Sequence, residues 1–242
     1  MPTKKVPEKH SFEYESRIIA YNLFRERRRQ VRIVVSHEQK IDVHAPQTAS
    51  ESYISGIINS KAPWILKSID RLDNCLPIPE PEYYEDGEII TYLGKEYRLK
   101  IEKGAKGGPE LKGEYLQIPA GRDSKGEKIR KKLDDWYRLK AREIFLPLMA
   151  KSMDKAYGQG APLPSLSIRK MRSRWGSCRP SGRITLNIHL IKLPEKCIEY
   201  VIMHEICHLR HLNHSRNFYE FLSKCLPDWK KCKEIIDRVR LA

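Results

Sequence analysis

Between Tyr200 and His214 the chain reads Tyr-Val-Ile-Met-His-Glu-Ile-Cys-His-Leu-Arg-His-Leu-Asn-His, and this segment limits the fold more than any other. Ile198, Val201, Ile202 and Leu209 recur at the spacing of a helix with one buried face. His204, Glu205 and His208 interrupt that apolar pattern. Polar side chains in such a setting are costly unless something satisfies them. His204-Glu205-Ile206-Cys207-His208 is an H-E-x-x-H motif, and residues four apart lie on the same helix face. Two imidazoles can therefore reach one zinc ion, while Glu205 stands beside them to polarise water.

A catalytic zinc takes three protein ligands and keeps one open position. His211 and His214 are the two candidates for the third. On a continuous helix His211 points to the same side as His204 and His208. His214 comes within reach only if the chain turns after Leu212, and Asn213 tolerates the left-handed backbone that such a turn uses. The ten-residue spacing from His204 to His214 also occurs in the metzincin motif, which favours His214.

Upstream, Arg172-Ser-Arg-Trp-Gly-Ser-Cys178 and then Gly182-Arg-Ile-Thr-Leu-Asn-Ile-His189 predict a strand, a tight turn and a hairpin return. Metalloproteases commonly hold substrate as an added strand on a sheet edge. Arg183–Leu190 is the expected edge here. Trp175, Asn187 and Arg174 are the candidate substrate-binding residues, with Arg174, Asn187 and Tyr219 as possible oxyanion donors. Cys178 has no cysteine partner nearby and is not counted as a ligand. Cys207 falls on another helix face and reads as core.

Composition restricts the class. No apolar run approaches the ~20 residues of a membrane helix. The first residues lack the apolar core of a signal peptide, so a cytoplasmic location is expected. None of the six cysteines forms a C-x-x-C pair, and all read as reduced thiols. The formal net charge of +15 points toward polyanions. About two thirds of that surplus falls in residues 151–242, so DNA or an acidic partner is a possible companion of that part.

The expected fold class is α+β. Residues 1–24 read as an N-terminal tail or helix. Residues 25–122 read as a β-rich part, with a hairpin over Val31–Ser36 and Lys40–Ala45. Ser50–Leu72 reads as two short helices broken at Pro63, followed by strands around Gly94-Lys95 and a mobile glycine-rich loop over Lys103–Gly113. Residues 123–242 read as the catalytic part, with a long helix over Gly126–Tyr157 kinked at Pro147. Helices are expected over Pro194–Leu212, from Ser215 to Cys225, and from Pro227 to the end.

Taken together, Arg172-Ser-Arg-Trp-Gly-Ser-Cys, Ile184-Thr-Leu-Asn, Pro194, the H-E-x-x-H helix, Asn213-His-Ser and Phe218-Tyr resemble the YgjP-like metallopeptidase family, which is related to SprT-like and other zincin peptidases. The basic hairpin, Ala62-Pro-Trp-Ile and Tyr92-Leu-Gly-Lys-Glu-Tyr extend the resemblance over roughly residues 25–240. It implies a zincin-type catalytic domain, one zinc ion on His204, His208 and His214, and Glu205 as general base. A tryptophan is common where Tyr219 stands, a departure expected to affect packing. The implied activity is peptide-bond hydrolysis on a protein or peptide substrate. The rival reading is a DNA-associated zinc protein, or a SprT-like protease acting on DNA-bound proteins. A zinc site that is only structural has no use for a carboxylate between its histidines.

Overall fold

The alternation of Ile19, Tyr21 and Leu23, all buried, with exposed or half-buried neighbours builds the first sheet. The computed structural model describes residues 7–36, 40–73, 76–78, 80–122, 124 and 126–241, which fall into two units divided between Leu76 and Pro77. In the first unit, strands β1 (Glu8–Tyr14), β2 (Arg17–Glu26), β3 (Arg32–Val35) and β4 (Ile41–Pro46) form a sheet in the order β1-β2-β4-β3. β3 and β4 are the expected hairpin, pairing Arg32 with His44. The tail or helix expected before residue 25 is instead, from Glu8 on, the strand pair β1–β2.

Helix α1 (Glu51–Asp73) is continuous, in place of the two helices expected around Pro63. Ile54, Ile58, Ala62 and Ile65 form its buried stripe, and Pro63 lies on the exposed side. The carbonyl of Asn59, which proline leaves without its helical partner, is on an exposed residue that water can serve. Leu76–Pro77 (β5) is a two-residue strand.

The two units divide between Leu76 and Pro77 rather than near residue 122, and the strands that follow share a core with the later helices. β6 (Ile89–Tyr92), β7 (Lys95–Lys103), β8 (Glu110–Lys112) and β9 (Tyr115–Ala120) make a sheet in the order β6-β7-β9-β8. β8 occupies part of the segment expected to be a loop. Ile90, Leu99, Leu116 and Ile118 from this sheet join Phe145, Leu186, Ile198, Ile202 and Phe218 in one apolar cluster. α2 (Gly126–Tyr157) crosses that cluster as one helix, with Pro147 on its exposed side.

The second sheet of this unit has the order β10 (Leu166–Arg169), β12 (Ile184–Asn187), β11 (Gly176–Cys178). β12 is therefore central, and every residue in it is buried. Arg183–Leu190 is therefore not the edge expected there, and the edges are β10 and β11. A 3₁₀ turn (Ile188–Lys192) leads to α3 (Glu195–Cys207), followed by α4 (Arg216–Cys225), α5 (Trp229–Asp237) and the two-residue strand β13 (Val239–Arg240). Among the described residues, no helix is long and apolar enough to cross a membrane.

α3 is seated at its start by a tight turn of the other sheet. Leu93 and Gly94 both have positive φ, and their N–H groups donate to the carbonyls of Ile191 and Lys192 at 2.9 and 3.0 Å. A Cβ on Gly94 would lie 2.7 Å from Pro194, the residue that caps α3, so only glycine admits this approach.

Candidate active site

α3 presents His204 and His208 one turn apart and ends there. The N–H groups of His208, Leu209 and Arg210 bond three residues back, to Glu205, Ile206 and Cys207, which tightens the last turn. The helix thus stops short of the expected Leu212. The chain doubles back through residues 209–215 and starts α4 after Ser215. Among the described non-glycine residues, Asn213 is not one with positive φ, so the reversal does without the left-handed residue expected there.

This reversal brings His214 to the two helix histidines. One ring nitrogen from each of His204, His208 and His214 lies within 4.8 Å of the others. The Nε2 atoms of His204 and His214 are 2.9 Å apart. His208 Nδ1 lies 2.9 Å from the carbonyl oxygen of His211. A carbonyl only accepts, so Nδ1 carries the proton and Nε2 keeps its lone pair. Burial, followed by the neighbouring His208, His214 and Lys233, pushes the His204 pKa down to about 3, so its ring is neutral near pH 7. Phe218, fully buried at the start of α4, has its ring centre 4.8–5.0 Å from all three imidazoles. His211 is not in this group. Its ring packs edge-on against Phe221 at 5.6 Å.

Three imidazoles whose ring nitrogens converge within 4.8 Å are a donor set suited to a divalent cation. The His208–His211 hydrogen bond is the kind of outer support that fixes a ligand ring. His204 Nδ1 is buried without a hydrogen-bond partner among the described residues.

Glu205 turns from the same helix toward β11 and is 5% exposed. Asn187 N–H donates to the Trp175 carbonyl at 2.8 Å, and Arg179 N–H to the Arg183 carbonyl at 2.9 Å. By the alternation of an antiparallel ladder, the Cys178 N–H points away from β12. It donates to Glu205. The carboxyl therefore lies along the outer side of the edge strand. A Cβ on Gly176 would lie 2.5 Å from Glu205 Oε1 and 2.7 Å from Cγ. Burial pushes the Glu205 pKa up to about 7, against the opposing pull of Arg174 and the Cys178 N–H.

A cleft of about 240 Å³ lies at this edge, lined by Arg174, Trp175, Gly176, Tyr200, His204, Glu205 and Lys233. Arg174 is exposed and Trp175 half-buried. Asn187, expected to face substrate, does not line the cleft. It is fully buried. Its Nδ2 donates to the carbonyls of Met171 and Arg174 at 2.8 and 3.0 Å, and its Oδ1 accepts from His189 N–H at 3.2 Å. Asn187 thus shapes the loop that delivers Arg174 and Trp175.

Tyr200 and Lys233 are cleft residues that sequence reasoning missed, and Trp229 backs Tyr200 from behind the lining. The Tyr200 ring lies 6.0 Å from His204 and stacks on Trp229, which stacks in turn on Tyr219. Lys233 is ion-paired with Asp237 one turn away on α5. Aromatic residues at helical spacing and an i,i+4 ion pair are ordinary in any packed helix, so no sequence signal set these apart. The five described cysteines are free thiols, and Cys75 lies outside the described residues.

No curated protein matches the chain. Among solved structures, the crystal structure of the metallopeptidase zymogen of Pyrococcus abyssi abylysin is similar to 40% of the chain and spans 99% of its own length. It has 22% identity and a TM-score of 0.36. A family model described as "YgjP-like, metallopeptidase domain" matches residues 29–239. The chain therefore belongs to the YgjP-like metallopeptidase family, which implies a metal ion.

Proposed function

We propose that this protein is a zinc-dependent peptidase that hydrolyses peptide bonds at the cleft between β11 and α3. The observation that carries this reading is the convergence of His204, His208 and His214 beside a buried carboxyl, Glu205, on an open sheet edge. His204 and His214 would hold the ion through Nε2, and His208 through the nitrogen left free by its bond to His211. A zinc ion there supplies Lewis acidity, which acidifies water and polarises the scissile carbonyl.

The remaining work falls to the chain's own side chains. Glu205 takes the proton of the attacking water at a carboxylate oxygen and returns it to the leaving amine. A group buried enough to have its pKa pushed up to about 7 is suited to both halves of that transfer. Substrate lies as an added strand along the outer side of β11, an edge that it shares with Glu205 at the Cys178 N–H. Trp175 forms a wall of the cleft, and Arg174 orients the backbone or an acidic side chain of the substrate.

The deciding experiment compares wild type with Glu205→Gln for metal content and for cleavage of an unfolded protein such as casein. Glu205→Gln should keep about one zinc per chain and lose cleavage by about 10³-fold or more. Equal cleavage by the variant would remove Glu205 from the reaction. DNA binding without cleavage by either protein would favour the rival reading of a DNA-associated zinc protein.

A further inference from the structure

The first unit carries a groove of its own, of about 270 Å³, lined by Val31, Ile33, Ile57, Lys61 and Trp64. The three α1 residues are spaced at four and three, so they form one stripe beside the buried stripe of Ile54, Ile58, Ala62 and Ile65. Val43 and Ala45 of β4 are fully buried and take no part in the lining, so the groove opens at the β3 edge of the sheet rather than over its middle. Trp64 is 49% exposed, and Val31, Ile33 and Ile57 are half-buried, which leaves a contiguous apolar strip in water.

Among the described residues, nothing pairs with the outer side of β3. The Ser36 N–H donates to the Lys40 carbonyl at 2.8 Å, and the antiparallel register runs from there to Arg32 and His44. By the alternation of such a ladder, Ser36, Val34 and Arg32 turn their backbone groups to β4, and Ile33 and Val35 turn theirs outward. A peptide strand added here bonds to Ile33 and Val35. The residue it sets against Ile33 has its side chain on the same face as Ile33, in the groove, and the next one falls on the other face with Arg32.

Charge selects among the strands that could be added. Residues 27–36 and 52–69, which build the groove, contain six arginines and lysines and no aspartate or glutamate. Of the six, Arg27, Arg29, Arg32, Lys61 and Lys67 are exposed. A second copy of this chain, pairing β3 with β3, would set these cations against themselves. A nucleic acid would meet the charge, but it has no alternating N–H and carbonyl groups to complete a strand edge. We propose that the groove docks an extended acidic segment of another protein, added to β3 as a strand in which apolar residues alternate with aspartate or glutamate. Its apolar side chains pack on Ile33, Ile57 and Trp64, and its carboxylates lie on the face of Arg32. The groove belongs wholly to the first unit, so this docking does not depend on the peptidase reading.

Fluorescence anisotropy of the full chain carrying Glu205→Gln, chosen to keep the probe uncut, tests this with a labelled peptide, Asp-Leu-Glu-Val-Asp-Leu-Glu. The expected result is saturable binding, weakened at least about tenfold when lysine replaces the acidic residues of the peptide. Trp64→Ala, at an exposed position, should weaken binding at least about tenfold. Val35→Pro removes an outward N–H and no bond to β4, so it should weaken binding as much while the thermal midpoint stays nearly constant. Arg174→Glu, in the other unit, should leave binding unchanged. Absence of saturable binding, or equal binding of the lysine peptide, would overturn the proposal. So would binding that Trp64→Ala and Val35→Pro leave intact and Arg174→Glu weakens, which would put the peptide in the cleft beside Glu205. Oligothymidylate that binds more tightly than the peptide, and needs Trp64 to do so, would give the groove to nucleic acid instead. A dimer in sedimentation that Val35→Pro dissociates would give it to a second copy.

Discussion

Gly176 lies so close to Glu205 that a Cβ on the glycine would stand 2.5 Å from Oε1. The edge strand thus has no side chain at the point where the carboxyl rests. Gly176→Ala should push Glu205 away from its place on β11. The three nearest atoms all belong to the Glu205 side chain, so the loss should fall on activity more than on stability. Cleavage should drop by about 10- to 100-fold, with zinc content unchanged. Activity assays alongside metal analysis check this, and a variant that cleaves normally would show that Glu205 does not need its present position.

Asn187 holds the loop before β11 through its side chain rather than contributing to the cleft. Asn187→Ala leaves the carbonyls of Met171 and Arg174 and the N–H of His189 without that partner. The expected cost is about 1–3 kcal/mol, read as a lower midpoint in urea unfolding. Activity should fall with it, because Arg174 and Trp175 lose their anchor. A variant of unchanged stability would mean that water replaces the amide.

Much of the catalytic part was legible because its signals are local. Four-residue spacing put His204 and His208 on one face, and Pro194 and Ser215 marked helix starts within a residue of those observed. The rest depended on pairings that no local pattern encodes. The order β10-β12-β11 makes Ile184–Asn187 central, although its apolar alternation reads equally well as an edge. Pro63 and Pro147 look like helix breaks, but both face solvent, where the missing bond matters little. The strands from Ile89 to Ala120 read as part of the β-rich N-terminal segment, yet their buried faces share a core with α2 and α3.

Stability should depend on pH through His189. Its pKa is pushed down to about 4 by burial first and then by Lys192, with Glu80 opposing and Lys170 adding to the fall. The unfolded state, near 6.5, binds more protons than the folded state between those values. Stability from this group is therefore complete above about pH 6.5 and is lost as the pH falls toward 4, at up to about 1.4 kcal/mol per unit. Urea unfolding at pH 7 and pH 5 should show a steeper loss for wild type than for His189→Asn, which has no group to titrate. Parallel losses in the two proteins would mean that His189 is already protonated in the fold.

Arg172, Arg174 and Arg179 are exposed on and around the edge strand. They should draw acidic peptides to the cleft, an attraction that salt screens. Raising ionic strength from about 0.05 M to about 0.5 M should raise KM for an acidic peptide and leave KM for a neutral one little changed. Arg179→Glu should reduce the salt dependence, since Arg179 is one source of the attraction. A salt response that is the same for both peptides would assign it to protein stability instead.

His211 and His214 are three residues apart, yet the chain reversal sends them to opposite surroundings. The His214 ring nitrogen meets His204 at 2.9 Å, whereas the His211 ring packs on Phe221 at 5.6 Å. What His211 gives the site is its backbone carbonyl, the acceptor for His208 Nδ1. His214→Ala should therefore lower zinc affinity by about 100-fold or more and abolish cleavage, because it removes one of three ligands. His211→Ala keeps the carbonyl and should hold one zinc per chain, with at most a small loss of stability from the lost ring contact. Zinc titration against a competing chelator separates the two. If His211→Ala lost the metal and His214→Ala kept it, the reversal after His208 would have to place the other histidine in the cluster.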